Sequence, residues 1–269
     1  MARIKAQAVV LRETNWSETS QLVTLLTDTH GLIRGLAKGS KRQSPSSIGR
    51  FSGGLEMLSL GQVVAVVKPT VGLATITEWD LIDPHIHLRR NWQAQQLAFY
   101  AADLLCALLA EHDVHSGVFT AAADYLKSLS LPGPCWSCVL EFQWRLLVDI
   151  GLQPRLDDDV QTGDILKPAD TYLFDASAGG LVVDARPQSP WPNHETGNGP
   201  WRVRSQTVEL LREIAGTWEK EQSMPTMQPI PAMRACRLLN AYIRHVLGRE
   251  LPTMPILWQE NESVEEAEK

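Results

Sequence analysis

Residues 21–37 read QLVTLLTDTHGLIRGLA, and this stretch decides the fold of the first part of the chain. Two apolar runs of strand length, 21–27 and 32–37, are separated by turn-forming residues at 28–31. Similar runs recur at 5–12, 56–59, 62–67 and 73–79. Because a small sheet must close to remove its unpaired edges, residues 1–80 predict a small β-barrel, either an OB-fold or an SH3-like barrel.

The pattern changes near residue 83, where helical spacing replaces the short runs. Helices are predicted at 87–112, 118–129, 135–150, 205–220 and 231–247. The segment 135–150 follows a Pro-Gly-Pro turn and is apolar around most of its circumference, so we expect it at the centre of its domain. Residues 155–200 predict an arm with a short β-hairpin at 171–183, followed by a loop.

The chain is therefore predicted to be an α+β protein of two domains. Residues 1–80 form the barrel, and residues 81–258 form a mainly α-helical domain that carries the arm. Residues 259–269 contain five Glu and predict a disordered acidic tail. No apolar run reaches the roughly 18–20 residues of a membrane helix, and no signal peptide precedes the first strand, so we expect a cytoplasmic protein. We expect reduced thiols at all four cysteines, because a core of this size needs no disulfides: Cys106, Cys135, Cys138 and Cys236.

Charge is distributed unevenly along the chain. The net charge is −6, but residues 1–80 carry nine Lys or Arg against six Asp or Glu. No acidic residue lies between Asp28 and Glu56, and five basic residues do: Arg34, Lys38, Lys41, Arg42 and Arg50. Such a segment on a barrel favours a single-strand nucleic-acid groove, with Trp16, Phe51 or Trp79 as stacking platforms. The alternative is a solvated loop whose charge only aids solubility.

The motifs of enzymes and metal sites are incomplete. Gly31, Gly35 and Gly39 do not fit a phosphate-loop or dinucleotide motif. His85 with His87, and Cys135 with Cys138, supply too few ligands for zinc. The sequence contains neither G-x-S-x-G nor H-E-x-x-H. We therefore expect no catalytic residues and no cofactor.

The order of several short motifs resembles the bacterial RecO family of recombination proteins. The N-terminal motifs are AVVLR at 8–12, WSETS at 16–20, LLTDTHG at 25–31 and AKGSKR at 37–42. Further matches are EFQWRLL at 141–147 with GLQP at 151–154, and LNAYIRHVLG at 239–248 with LP at 251–252. The resemblance therefore extends along nearly the whole chain.

The resemblance implies an OB-fold followed by a helical domain, and a role in DNA repair and recombination. It implies binding of single-stranded and double-stranded DNA, annealing of complementary strands, and partnership with RecR and the single-strand DNA-binding protein while RecA is loaded. Basic residues of the family's barrel contribute to DNA binding. That role extends to the segment described above and to two residues of the first strand, Lys5 and Arg12.

One departure from the family concerns zinc. Many members carry a four-cysteine zinc site on the arm, and the matching positions here are Asp159, Thr162, Val183 and Arg186. These residues cannot replace four thiolates, so we expect a metal-free arm. The hairpin should then be held by packing alone, through the side chains Tyr172, Phe174, Leu181 and Val183.

Three functional hypotheses follow. The first is a non-catalytic mediator that binds single-stranded DNA through the basic rim of the barrel. The second is an adaptor with weak DNA affinity that docks RecR or the single-strand DNA-binding protein on its helical domain, which the acidic second part of the chain favours. The third, a hydrolase or nucleotide-dependent enzyme, predicts stabilisation by a nucleotide or metal, which we do not expect.

Overall fold

The computed structural model describes residues 2–68, 71–130, 136–185, 199–220 and 224–258. The chain divides into two compact units, Met1–Pro134 with Trp258–Lys269, and Cys135–Leu257. The fold is α+β, as predicted, with a strand-rich N-terminal part and a mainly helical C-terminal part. The division into domains at residues 80 and 81 stays a prediction, since the first compact unit continues beyond it into helices.

The first unit is built on a six-stranded sheet. Its strands are β1 (Ala2–Ser17), β2 (Ser20–Thr27), β3 (Gly31–Ala37), β4 (Phe51–Ser52), β5 (Leu60–Lys68) and β6 (Val71–Asp83). They follow one another in the order β3-β2-β1-β5-β6-β4, and β3 also pairs with β6 in parallel. The short helix α1 (Pro45–Arg50) connects β3 to β4.

Alternation along the strands determines which face is buried. On β1, Ile4, Ala6, Ala8 and Val10 point into an apolar cluster that also contains Ile33 from β3. A register shift between Val10 and Arg12 ends this alternation. Because side chains alternate across a strand, the intervening residues of β1 face outward, where Lys5 is exposed.

Two helices cover part of the outer face of this sheet. A 3-10 helix (Ile86–Arg90) leads into α2 (Trp92–Leu108), whose first turn is capped by the Asn91 side chain, and α3 (Ser116–Ser128) follows. Helix α2 packs against β1, and α3 packs against β2. Gly31 allows the closest approach between the sheet and the connection after α2, since a Cβ there would lie 1.9 Å from the carbonyl oxygen of Asp113.

The second unit combines helices with a three-stranded sheet. Its elements are α4 (Trp136–Asp149), β7 (Thr171–Asp175), β8 (Gly180–Val182), β9 (Trp201–Arg204), α5 (Ser205–Glu219), α6 (Pro229–Leu247) and a 3-10 helix (Met254–Leu257). The central position predicted for 135–150 is confirmed for the described part of that helix, because most of α4 is buried and packs against α6. In the small sheet, β7 lies between β8 and β9.

Some sequence predictions need correction. Residues 56–59 form no strand but a turn and coil, in which Leu58 has a φ of 66°. The pattern of 56–59 was short and apolar, which does not distinguish a strand from a buried turn. The elements α1, β4 and β9 were not predicted. The predicted tail at 259–269 and the turn at 132–134 lie outside the described residues. None of the described helices is long and apolar enough to cross a membrane.

The cysteines differ in their chemistry. Cys106 and Cys236 have free thiols, whereas Cys138 is in a disulfide. The prediction of reduced thiols at all four positions was therefore wrong. Core size alone could not decide the redox state of a C-x-x-C pair, because two cysteines so close in the sequence can pair whatever the size of the core. Its other cysteine, Cys135, lies outside the described residues.

Candidate nucleic-acid interface

The basic turn at residues 38–42 is held against the hairpin that joins β1 to β2. The Lys41 backbone N–H donates to the Thr19 carbonyl at 3.2 Å, and the Gly39 N–H donates to Ser20 Oγ at 3.3 Å. The Lys41 ammonium also donates to Asn15 Oδ1. The structure therefore brings the middle of the predicted basic segment to the end of the first hairpin, although these residues are about 20 positions apart in the sequence.

Gln21 connects this turn to two other segments. Its amide Nε2 donates to Glu13 Oε2 at 2.8 Å and to the Leu55 carbonyl at 3.0 Å, while its Oε1 accepts from Ser40 Oγ at 2.9 Å. The side chain is buried, so these bonds are screened from water. Sequence reasoning missed this residue, because nothing in a polar side chain at the start of a strand indicates its partners.

Glu13 places a negative charge beside the same turn. Burial raises the pKa of Glu13 above its ordinary value of 4.5, the Lys41 charge lowers it, and Glu56 raises it again. Glu56 itself pairs with Arg89. The ammonium of Lys41 is therefore partly committed to Asn15 and Glu13, whereas Lys38 and Arg42 are exposed and form no ion pair among the described residues.

Arg12 and Arg34 lie in one row across three strands. Arg12 is paired with Thr24 of β2, and Thr24 is paired with Arg34 of β3. Each arginine has an acidic partner: Arg12 lies 3.0 Å from Asp103, and Arg34 lies 3.6 Å from Glu111. Both side chains remain about half exposed, so these pairs weaken the positive charge of the row without burying it.

The remaining two predicted residues, Lys5 and Arg50, belong to β1 and α1 and not to the turn itself. Lys5 is exposed on β1 ten residues before Asn15, a separation of roughly 30 Å along an extended strand. Arg50 ends α1, where its Nε donates to the Ser46 carbonyl at 3.3 Å and its guanidinium lies over the Phe51 ring. The structure therefore does not gather all seven predicted residues into one site.

Only one of the three predicted stacking residues is accessible. Trp16 is 64% exposed near the end of β1, beside the hairpin that contacts the basic turn. Phe51 and Trp79 are buried in the core of the sheet, so the prediction that they could stack on bases was wrong. Aromatic residues of a small barrel fill its interior as readily as its surface, and composition alone does not separate the two.

The arm of the second unit is held by a carboxylate at one of the positions that match zinc ligands. The buried Asp159 accepts hydrogen bonds from the backbone N–H groups of Val183, Gln161 and Thr162 at 2.9, 2.8 and 3.1 Å. These bonds, that from Val183 above all, hold the pKa of Asp159 below its ordinary value of 3.8. Asp159 thus connects its own loop to the end of the β7–β8 hairpin. Arg186 lies outside the described residues.

A buried ion pair also stabilises the arm. Arg202 of β9 donates from Nε to Asp184 Oδ2 at 2.6 Å, and both side chains are less than 5% exposed. The prediction that the hairpin is held by packing alone was therefore wrong. Tyr172, Phe174 and Leu181 are buried as expected, but Val183 is 58% exposed and contributes its backbone instead. Short polar side chains near the hairpin could have indicated, from the sequence, that hydrogen bonds and ion pairs help to hold it.

The described residues offer no metal site. No group of three or more His, Cys, Asp or Glu side chains among them could hold a metal ion. The two histidines weighed as ligands bond to backbone oxygens: His85 Nδ1 lies 2.7 Å from the Leu58 carbonyl, and His87 Nε2 lies 2.9 Å from the Leu126 carbonyl.

Comparisons with known proteins match most of the chain to one protein family. A family model described as recombination protein O N terminal matches residues 1–85, and one described as recombination protein O C terminal matches residues 89–255. A DNA repair protein RecO from Geobacter sulfurreducens is 29% identical over 261 residues, which cover 96% of this chain and 99% of the relative. Proteins of the same name from Myxococcus xanthus and from Anaeromyxobacter sp. (strain Fw109-5) are each 27% identical, and they cover 96% and 93% of this chain and 98% and 93% of their own lengths. None of these names denotes an enzyme.

Proposed function

The chain belongs to the recombination protein O (RecO) family of DNA repair proteins, and on that premise we propose that it is a non-catalytic mediator that binds single-stranded DNA through its N-terminal sheet. We propose further that it anneals complementary strands and assists the loading of RecA together with RecR. Double-stranded DNA and the single-strand DNA-binding protein are further proposed partners, and the cytoplasm is its proposed location. Family membership supports all of these roles.

We propose that the six-stranded sheet is a closed barrel of the OB type. The strand order β3-β2-β1-β5-β6 and the additional parallel pairing of β3 with β6 support closure. In that pairing Gly35, Leu36 and Ala37 lie opposite Ala74, Thr75 and Ile76. A ring of five strands with one parallel pair removes the long unpaired edges and leaves connecting loops to bind a ligand.

One observation carries the DNA-binding proposal. The turn that contains Lys38, Lys41 and Arg42 is hydrogen-bonded to the hairpin that presents the exposed ring of Trp16. A positive rim beside an aromatic ring is the combination that binds single strands without sequence preference, because phosphates meet the cations and bases stack on the ring. Gln21 fixes the base of the turn, so the cations are presented on a supported loop.

The proposal is tested by fluorescence anisotropy with a labelled thymidine 20-mer over a series of salt concentrations. We choose Lys38→Glu with Arg42→Glu, because neither side chain supports the turn. The wild type should lose affinity by about 0.7 log units per neutralised phosphate for each tenfold rise in salt. The double variant should lose at least about tenfold in affinity at low salt, with a smaller salt slope.

Arg90→Glu with Lys127→Glu is the matched control. Both residues are exposed in the same compact unit and form no ion pair within the described part of the chain, so the change in net charge is identical. An equal loss of DNA affinity in both double variants would show that net charge alone causes the loss. It would overturn the assignment of the turn as the DNA site. Flat, feeble binding by the wild type would favour the adaptor hypothesis, in which the protein acts by docking partner proteins.

A further inference from the structure

A second acid-free segment lies in the last helix of the protein. No Asp or Glu occurs between Glu221 and Glu250, and four arginines fall within that interval: Arg234, Arg237, Arg244 and Arg249. The interval resembles in length the basic segment of the first unit, and it was missed in the sequence analysis. Three of these arginines lie on α6 and the fourth follows its end, so a regular helix, not a loop, presents most of the charge.

The end of α6 borders a surface pocket of about 550 Å³. Arg244 and His245 from the last turn of the helix line it together with Arg249, which follows the helix end at Gly248. The pocket also contains Trp201 of β9, and Glu250 is the one acidic residue among its described lining residues. Three basic side chains and an indole ring therefore face a single space that is wide enough for a nucleotide.

The ring of Trp201 is supported on one face by a buried aromatic ring. It stacks on Phe174 of β7 with ring centroids 5.8 Å apart and an angle of 10° between the planes. Phe174 is fully buried and meets the Tyr242 ring of α6 edge-on, with centroids 5.5 Å apart. Because one face of the indole rests on this buried pair while the residue lines the pocket, Trp201 provides a rigid platform for a flat ligand.

Among the described residues, the two arginines of this pocket have no ion-pair partner, in contrast to several other arginines of the same unit. Arg155 pairs with Asp158, Arg202 with Asp184 and Arg212 with Asp157. By contrast, neither Arg244 nor Arg249 forms an ion pair with any described residue, and both are exposed. A cation in the last turn also stabilises the helix dipole, which accounts for Arg244 and His245 but not for Arg249 beyond the helix end.

We propose that this pocket binds a segment of single-stranded DNA, with backbone phosphates on Arg244 and Arg249 and a base stacked on Trp201. The inference deepens the proposed function, on which it rests, by giving the second unit a strand site of its own. Phosphate requires cations that have no protein partner, and a base requires a flat supported ring. An acidic peptide would use the cations but has no need of the indole platform.

The test is photochemical crosslinking of the full-length protein to a thymidine 20-mer that contains 5-iododeoxyuridine, followed by mass spectrometry of the crosslinked peptides. In the wild type we expect crosslinks at Trp16 or the adjoining turn and, separately, at Trp201. Arg244→Glu with Arg249→Glu should reduce the Trp201 crosslink at least about tenfold and leave the Trp16 crosslink in place. Lys167→Glu with Lys220→Glu is the control, since both exposed lysines belong to the second unit and do not line the pocket.

Each outcome separates this inference from the proposed function. Crosslinks at Trp16 alone would overturn the second site and leave the first standing, whereas crosslinks at Trp201 alone would do the reverse. Crosslinks at neither place would overturn both. A fluorescent hepta-glutamate peptide is tested in parallel: if it binds in a manner that depends on Arg244 and Arg249 while DNA does not crosslink there, the pocket is a peptide site and the inference fails.

Discussion

The six-stranded sheet of the first unit and the three-stranded sheet of the second are stabilised differently. The larger sheet buries an apolar cluster in which side chains such as Ile33 and Val63 are inaccessible to water. The smaller sheet also buries apolar side chains, but it adds the carboxylate of Asp159 and the ion pair of Asp184 with Arg202. Apolar burial depends on volume and little on pH, whereas buried carboxylates depend on their partners and on protons. The two sheets should therefore respond to mutation and acid in different ways.

The largest effect is expected at the buried ion pair. Asp184→Ala removes one buried carboxylate that binds the Arg202 guanidinium, and breaking a buried ion pair at one partner should lower the free energy of unfolding of the second unit by about 3–5 kcal/mol. Urea unfolding, followed by circular dichroism, measures this. Replacing both partners at once, with Asp184→Leu and Arg202→Leu, should restore most of the loss, because an apolar pair leaves no unpaired charge. A small loss in the single variant would contradict the comparison.

A smaller effect is expected at Asp159. Asp159→Ala removes the acceptor of three backbone N–H groups and should cost about 2–3 kcal/mol, whereas Asp159→Asn keeps one oxygen and should cost about 1 kcal/mol. Hydrogen exchange of the Val183 amide reports the effect locally, since that N–H donates directly to the carboxylate. Unchanged protection at Val183 in the alanine variant would show that the arm does not depend on this residue.

Low pH should also affect the stability of the two sheets differently. The folded state holds the pKa of Asp159 below its ordinary value of 3.8, so its contribution is complete above that value and is lost as the pH falls through the folded pKa. The stability difference between the wild type and Asp159→Asn should therefore shrink from about 1 kcal/mol at pH 6 as the pH falls below 3.8 and through the lower pKa of the folded state. A difference that stays constant from pH 6 to pH 2.5 would mean that the charge of the carboxylate is irrelevant.

The smallest effect is expected in the apolar cluster. Ile33→Val removes one buried methylene group and should cost about 1 kcal/mol in the first unit. The loss should be the same at pH 4 and at pH 7, since no ionisable group takes part. Thermal unfolding at the two pH values checks this, and a loss that varies with pH would show that the interior of the larger sheet is coupled to a titrating group such as Glu13.

The sequence predicted regular elements better than it predicted the sites. The apolar runs of the sequence indicated five of the six strands of the larger sheet and missed only the two-residue strand β4. The run at 56–59 was misread because a buried apolar turn has the same short pattern. The strand β9 was not recognised because its four residues are too few to show a periodic pattern. The local sequence pattern does not indicate which segments, distant in the sequence, contact each other in the fold.

For the candidate site, too, the sequence did not show which distant residues come together. Charge counting found the cations of the 38–42 turn, but the hydrogen bonds that tie this turn to Asn15 and Gln21 depend on strand register. The distinction between Trp16 at the surface and Trp79 in the core also needed the fold. Counting acidic residues over the whole chain, and not only over its first 80 residues, would have revealed the segment around α6.

The free thiols of Cys106 and Cys236 are suited to site-directed labelling elsewhere in the protein. Burial raises the pKa of Cys106 to about 11 and also raises that of Cys236. The thiolate is the reactive form, and at pH 7 a thiol with that pKa is ionised only about once in ten thousand molecules. Neither free thiol should therefore compete for a maleimide dye with an exposed cysteine introduced by Glu18→Cys or Val246→Cys, which leave the proposed DNA contacts in place. Dyes at these two positions would allow the arrival of each DNA strand to be timed separately on one protein.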